Sequence, residues 1–293
     1  MLVSLKEILD RAAAGSYAVA APNVENEIDA RACIEAAEDA NAPLILDVIF
    51  AATPDIYFFG QELRKLAEQA SVPIAINLDH GDTLDQIQGA INAGFTGVMI
   101  DRSAYPNEKN IADTKEIVRL AHAVGISVEA ELGHVGQADN YAVDRDAALT
   151  SPEEALRFIE ETGVDCLAVA IGTAHGAYPK QYKPTLDFER LIEIKKATNN
   201  FPLVLHGSSG TDKELLKKAC SLGINKVNVN NDLCQAAVKV IKNGDFEGNN
   251  AYFVYYEIKE AVRKEMIKLI GIYGSANKTW IPEIKQLPRI KEV

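Results

Sequence analysis

Three of the chain's five histidines close short apolar runs: His80 in PIAINLDHGDT, His175 in CLAVAIGTAHG and His206 in LVLHGSSG. An apolar segment of strand length that stops on an ionisable group reads as a buried strand delivering chemistry at its carboxyl end. Three neutral imidazoles brought to one mouth suit a divalent metal, zinc first, because a catalytic zinc keeps three protein ligands and one open position. Asp79, beside His80, could exchange a proton with a substrate hydroxyl there. The glycine-rich HGSSG turn exposes backbone N–H groups suited to an anion. Singly, each feature is equally well a satisfied polar residue or an ordinary strand-to-helix turn, and their recurrence is what favours the metal. His122, inside the helical pattern IVRLAHAVG, reads as a packing or surface residue, and the role of His134 in ELGHVG stays open.

Such groups converge only if strands carry them to one place. Strand patterns occupy 17–21, 44–49, 74–77, 97–100, 127–130, 166–170, 203–205 and 226–229, and helical patterns fall between them at 27–40, 62–69, 84–93, 108–123, 152–161, 188–197 and 213–220. Ser151, Pro152 and Glu154 form a capping box with proline at the first helical position, and Gly94, Gly125, Gly163 and Gly223 suit left-handed helix ends. Eight strand-helix units with no hairpin connection imply a parallel sheet closed as a single (β/α)8 barrel, a fold that commonly needs about 250 residues. The alternative is an open, doubly wound sheet. The 293 residues read as one domain, with a helix from about 253 and a tail to 293 that is expected to pack on a neighbouring subunit.

In a barrel, active sites sit at the carboxyl ends of the strands. Those ends carry Asn23, Asp47, Asp79 with His80, Asp101, Glu129 and Glu131, His175, His206 and Asn228. A purely structural barrel has no reason to place polar groups there, since each must be paired when buried. The net charge of -12 argues against nucleic acid or an anionic membrane as partner. The first fifteen residues lack a signal-peptide layout, and no apolar run approaches the roughly 20 residues of a membrane helix. Cys33, Cys166, Cys220 and Cys234 show no metal or disulfide spacing, which suits small buried side chains in a cytoplasmic protein.

The motifs YAVAAPNVEN, LDHGDT, GVMIDRSAYP, VEAELGHVG, LAVAIGTAHG, LVLHGSSG and KVNVNNDL follow one another along nearly the whole chain. In order and spacing they resemble the class II, metal-dependent ketose-bisphosphate aldolases. The resemblance implies a (β/α)8 barrel in a homodimer or homotetramer, with a Zn2+ ion held by His80, His175 and His206. Glu131 and Asp101 match acids that contact the metal in an alternate position, and Asp79 matches the acid/base at the hydroxyl of the cleaved bond. Asn23, Gly176, Gly207, Ser209, Asn228 and Asn231 fall where such enzymes line the pocket for the ketone and its phosphate. The implied reaction cleaves fructose 1,6-bisphosphate, tagatose 1,6-bisphosphate or a related sugar to dihydroxyacetone phosphate and an aldehyde through a metal-stabilised enediolate. A metal-dependent sugar-phosphate isomerase or epimerase would use the same groups. A binding or assembly subunit would have no need of Asp79.

The sequence departs from the family at four places: Ile49 stands near a phosphate-binding serine, Asn231 replaces a threonine, the run AYPKQY after His175 breaks up the usual tail, and the loop after Glu131 reads Gln137, Ala138, Asp139 where a glutamate base is usual. A loop this long is uncommon in a compact domain and is often a lid, so Asp139 is the expected proton carrier, with Asp144 in reserve. Asp139→Ala should slow deuterium exchange into dihydroxyacetone phosphate at unchanged metal content. Normal exchange in both Asp139→Ala and Asp144→Ala would place the carrier elsewhere, with Glu131 next.

Overall fold

The computed structural model describes residues 1–53, 55–135, 149–176 and 184–282. The eight strands are β1 (Val19–Pro22), β2 (Leu44–Ile49), β3 (Ile74–Gly81), β4 (Gly97–Ile100), β5 (Ser127–Leu132), β6 (Cys166–Val169), β7 (Leu203–Leu205) and β8 (Ile224–Val229). All their ladders are parallel, in the order β1-β8-β7-β6-β5-β4-β3-β2. The ring is nearly closed between β1 and β2, where Asn23 pairs with Asp47 and the Val24 N–H donates to the Asp47 carbonyl at 2.9 Å. This is the expected (β/α)8 barrel.

The helices are α1 (Leu5–Gly15), α2 (Glu27–Asp39), α3 (Ile56–Gln69), α4 (Leu84–Ala93), α5 (Asn107–His122), α6 (Pro152–Thr162), α7 (Phe188–Ala197), α8 (Lys213–Leu222), α9 (Asn231–Asn243) and α10 (Val254–Tyr273). Ser151 caps α6 through Glu154, and Gly163 ends it in the left-handed region, as the capping pattern requires. Strand bounds shift by up to four residues from the sequence expectation, one helix starts early and another was not expected. Helix α3 begins six residues early, its Asp55 cap lying upstream of the pattern, and α9 carries little buried apolar surface to mark it, only Leu233.

Alternation along the strands sorts side chains into two populations. Leu44, Leu46, Ile74, Ile76, Leu78, Val128, Leu203, Leu205 and Val227 face outward and join the helices in the larger core. Ile45, Ala75, Cys166, Ala168 and Val204 face inward and meet Leu5, Ile8, Leu9 and Ala12 of α1, which closes the amino-terminal end of the barrel. Above this apolar plug the inward positions turn polar: Asp47, Asn77, Glu129 and Lys226 are all fully buried. The barrel therefore opens at one end only, and chemistry is confined there.

Helix α10 buries Val262, Met266, Leu269, Ile270 and Tyr273 against its own barrel. The segment after it also stays on the same chain: Trp280 donates to Glu7 at 2.9 Å and lies under the Arg11 guanidinium, 4.6 Å from the ring centre. Residues 283–293 of the tail expected to pack on a neighbouring subunit lie outside the described residues. No described helix is long and apolar enough to cross a membrane.

Gly97 lies where the plug meets the polar layer. A Cβ there would come within 2.7 Å of Asn77 Oδ1 and 2.9 Å of Leu5. Gly97→Ala should therefore lower stability by about 1–3 kcal/mol through overpacking. An unchanged urea midpoint would show that α1 can yield.

Candidate metal and substrate site

A cavity of about 570 Å³ occupies the carboxyl ends of the strands. Asn23, Asp79, His80, Asp101, Glu131, His175, Gly176, Gly207, Ser209, Asn228 and Asn231 all line it. Of the site residues singled out in the sequence, His206 is fully buried behind this lining, and Asp139, with Asp144, lies outside the described residues. Ile49 and His134 also line the cavity.

Strand geometry alone would separate Asp79 from His80, because consecutive residues on a strand point to opposite faces. The β3–β4 register shifts between Leu78 and Gly81, and His80 takes a φ of 51°. This bulge swings His80 to the same mouth as Asp79, and a left-handed conformation at a non-glycine residue costs about 1–2 kcal/mol. Gly81 follows because a Cβ there would lie 2.5 Å from the Met99 carbonyl oxygen. The other two imidazoles are tied together through backbone. Thr173 donates to the His206 carbonyl at 2.7 Å, and Gly207, at φ 66°, passes so close to Ala174 that a Cβ would fall 2.3 Å from its oxygen.

The ring centres stand 4.9 Å apart for His80 and His175, 4.8 Å for His80 and His206, and 5.6 Å for His175 and His206. One donor atom from each histidine and one from Glu131 lie within 4.8 Å of each other. Carboxylates set two of the tautomers: His206 Nε2–H donates to Glu129 at 2.9 Å, and His80 Nδ1–H donates to Asp101 at 2.8 Å. That leaves His206 Nδ1 and His80 Nε2 facing each other at 3.0 Å. Glu131 accepts the Val135 N–H on Oε1, while its buried Oε2 has no hydrogen-bond partner among the described residues. An orphaned carboxylate oxygen facing three imidazoles is the donor set a divalent cation would complete, and three nitrogens with one oxygen suit zinc chemistry.

The charges agree with that fit. Burial opposes protonation of His80, but Asp79, Asp101 and Glu131 outweigh it and raise its pKa to about 10. Burial and the neighbouring His206 and His80 lower His175 to about 3. Asp79 resists the upward push of burial and is held well below the ordinary carboxylate range by His80, His206 and Lys226. Its oxygens accept from Asn23 Nδ2 at 2.8 Å and Asn228 Nδ2 at 3.0 Å. Glu131, by contrast, is raised by burial.

Three residues carry more than their sequence context suggested. Lys226 begins a strand pattern yet points inward and is fully buried beside Glu129 and Asp47. Its signal was a lysine two residues before Asn228, on the same face of the strand. His134 bonds through Nδ1 to Ser103 Oγ at 3.1 Å and stands 4.0 Å from Glu131, placing the undecided imidazole at the rim. Cys234, expected to be a buried packing residue, is exposed on α9 and donates to Asn230 Oδ1 at 3.0 Å. It follows an N-terminal helical turn that faces the cavity instead of the core. Of the remaining cysteines, all three are buried. His122 pairs with Asp165 at 2.8 Å, away from the mouth.

Residues 3–278 match the family described as fructose-bisphosphate aldolase class-II. A fructose-bisphosphate aldolase of Thermus caldophilus is 40% identical across 94% of this chain and 100% of the relative. One of Geobacillus stearothermophilus is 38% identical across 94% and 98%. The X-ray structure of the YdjI aldolase from Escherichia coli K12 superposes with a TM-score of 0.86 at 35% identity, covering 96% of this chain and 100% of that one. The fructose-bisphosphate aldolase structure from Campylobacter jejuni, 23% identical over 95% and 97% of the chains, shares the fold with a TM-score of 0.80.

A cation entering this group must displace the proton that His80 holds. Because the His80 pKa is raised to about 10, metal affinity should climb with pH through neutrality, by up to about tenfold per unit. Chelator competition at several pH values reads the slope. A flat profile would show that His80 gives up no proton on binding.

Proposed function

Because the chain belongs to the class II fructose-bisphosphate aldolase family, we propose that it reversibly cleaves a phosphorylated ketose to dihydroxyacetone phosphate and an aldehyde, using a zinc ion held by His80, His175 and His206, with Glu131 as an alternate ligand. The observation that carries the reading is the ionised Asp79 carboxylate lining one cavity with His80 and His175, whose rings stand against the buried His206. When bound, the metal polarises the ketone carbonyl and stabilises the negative charge that develops on its oxygen.

The protein's own groups supply the rest. In the cleavage direction Asp79 accepts the proton of the hydroxyl on the carbon being released, whose C–O bond becomes the aldehyde carbonyl as the adjacent C–C bond breaks. The electron pair of that bond passes to the ketone half, and the carbon there takes up a proton, a step we assign to Asp139. Asn23 and Asn228 each donate an N–H to Asp79, keeping its acceptor oxygens in place and its charge stable.

The phosphate is assigned to the opposite wall. There the turn at Gly207, Ser208 and Ser209 meets the start of α9 at Asn230 and Asn231. The Asn230 cap position makes no side-chain cap bond. The first N–H groups of a helix and its positive end favour an anion. Asn231 alters this wall relative to the family pattern, and Ile49, in register with Asp79, alters the rim beside the bond-breaking groups, which bears on the choice of sugar.

Asp79→Ala should retain the fold and the metal and lose cleavage by about 10² to 10⁴-fold, the usual range for a general acid/base. Alanine is preferred to asparagine, whose amide would set donors against the Asn23 and Asn228 donors. The assay is dihydroxyacetone phosphate release, coupled to a dehydrogenase, across a panel of ketose phosphates with and without chelator. Full activity in the variant would remove Asp79 from the mechanism.

A further inference from the structure

Below the imidazoles, inside the barrel, one cation holds two parts of the site at once. Lys226 is fully buried, and its Nζ lies 2.8 Å from Glu129 Oε2, 2.8 Å from Asn228 Oδ1 and 2.9 Å from Asp47 Oδ2. Two of these neighbours each make a further bond toward the mouth. Glu129 Oε1 accepts from His206 Nε2 at 2.9 Å, and Asn228 Nδ2 donates to Asp79 Oδ1 at 3.0 Å. Asp47 does not: its other contact is Asn77 Nδ2 at 3.0 Å.

The orientation of each relay depends on the ammonium. An asparagine amide can turn over, exchanging its oxygen and nitrogen, and a donor beneath Oδ1 adds to the pull of the Asp79 carboxylate in keeping Nδ2 turned toward it. An ammonium is that donor, having three protons and no acceptor. In the same way Glu129 keeps one oxygen on Lys226 and the other on His206, which commits His206 to the Nε2–H tautomer and turns Nδ1 toward His80 and Glu131. We propose that Lys226 is a positioning residue that sets the tautomer of the ligand His206 and the orientation of Asp79 from a single buried point. The Asp79 half rests on the aldolase reading above, and the His206 half stands without it.

The competing account is that Lys226 only neutralises buried carboxylates. Asp47→Asn separates the two, because Asp47 is a charged neighbour of Lys226 that lies off both relays. Metal-free wild-type protein with ¹⁵N-labelled histidine should show His206 as a single Nε2–H tautomer, and an Nδ1–H signal there would overturn the proposal before any variant is made. In Lys226→Met the tautomer should become mixed. Affinity for Co²⁺, followed by its visible spectrum, should fall about tenfold or more, the usual effect of losing a group that orients a ligand. Turnover should fall chiefly in kcat, with KM little changed. Asp47→Asn should keep the wild-type tautomer and Co²⁺ affinity.

Wild-type tautomer and affinity in a folded Lys226→Met, or equal losses in Asp47→Asn, would overturn the assignment. Should Lys226→Met not fold, Lys226→Gln is read by the same spectra. Neither the histidine spectrum nor Co²⁺ binding requires turnover, so a wild-type protein that cleaved no ketose phosphate would sink the aldolase reading and leave the His206 result standing.

Discussion

The ion pair between Lys226 and Glu129, sealed within the barrel, is the contact on which the rest of the site depends. Two charges removed from water pay a desolvation cost that excellent geometry barely repays, and deleting one partner of such a pair typically costs about 3–5 kcal/mol. A pair of this kind is a poor device for stability alone. Its neighbours show how the balance is kept. Asp47, 2.9 Å from Lys226, is pushed up by burial and by Asp79 and Glu129 and drawn down by Lys226. Glu129 is drawn below its ordinary value by Lys226 and His206 against the effect of burial. One cation therefore stands between two buried carboxylates, Asp47 and Glu129.

That balance is possible because the barrel is stratified. Helix α1 and the small inward residues of the strands fill the lower end without water, and polar groups occupy the next layer up. The imidazoles and Asp79 lie above, at the only level where a substrate can enter. Each layer is dictated by the one beneath it: the plug excludes solvent, which raises the value of every hydrogen bond above it and the cost of every unpaired group. Glu131 Oε2, buried and without a hydrogen-bond partner among the described residues, lies where a cation would satisfy it.

Local strain completes the arrangement. The bulge at His80 breaks the alternation of β3 so that neighbouring residues serve the same cavity, and the close passage at Gly207 joins the loops carrying His175 and His206. Both are backbone solutions to a side-chain requirement. Strained positions of this kind persist only where surrounding structure over-determines them, and here the Asp101 hydrogen bond and the Met99 carbonyl hold the bulge on either side.

The amino-acid sequence by itself determined the barrel and the gathering of His80, His175, His206, Asp79 and Glu131 at its mouth. Each follows from a local signal: a period of two ending on an ionisable residue, repeated with capped helices between. The resemblance to the aldolase family also singled out Ile49 and Asn231, both of which line the cavity. Tertiary structure alone decided which charges meet inside. Lys226 and Glu129 are separated by 97 positions, and nothing local says that a lysine in this strand will face inward to a carboxylate from β5. The same holds for the His80 bulge, for α9, whose face toward the core buries only Leu233, and for Trp280, which returns to α1. Periodicity reports which face of an element is buried, whereas pairing across a barrel is set by register and closure, and these belong to the whole ring of strands.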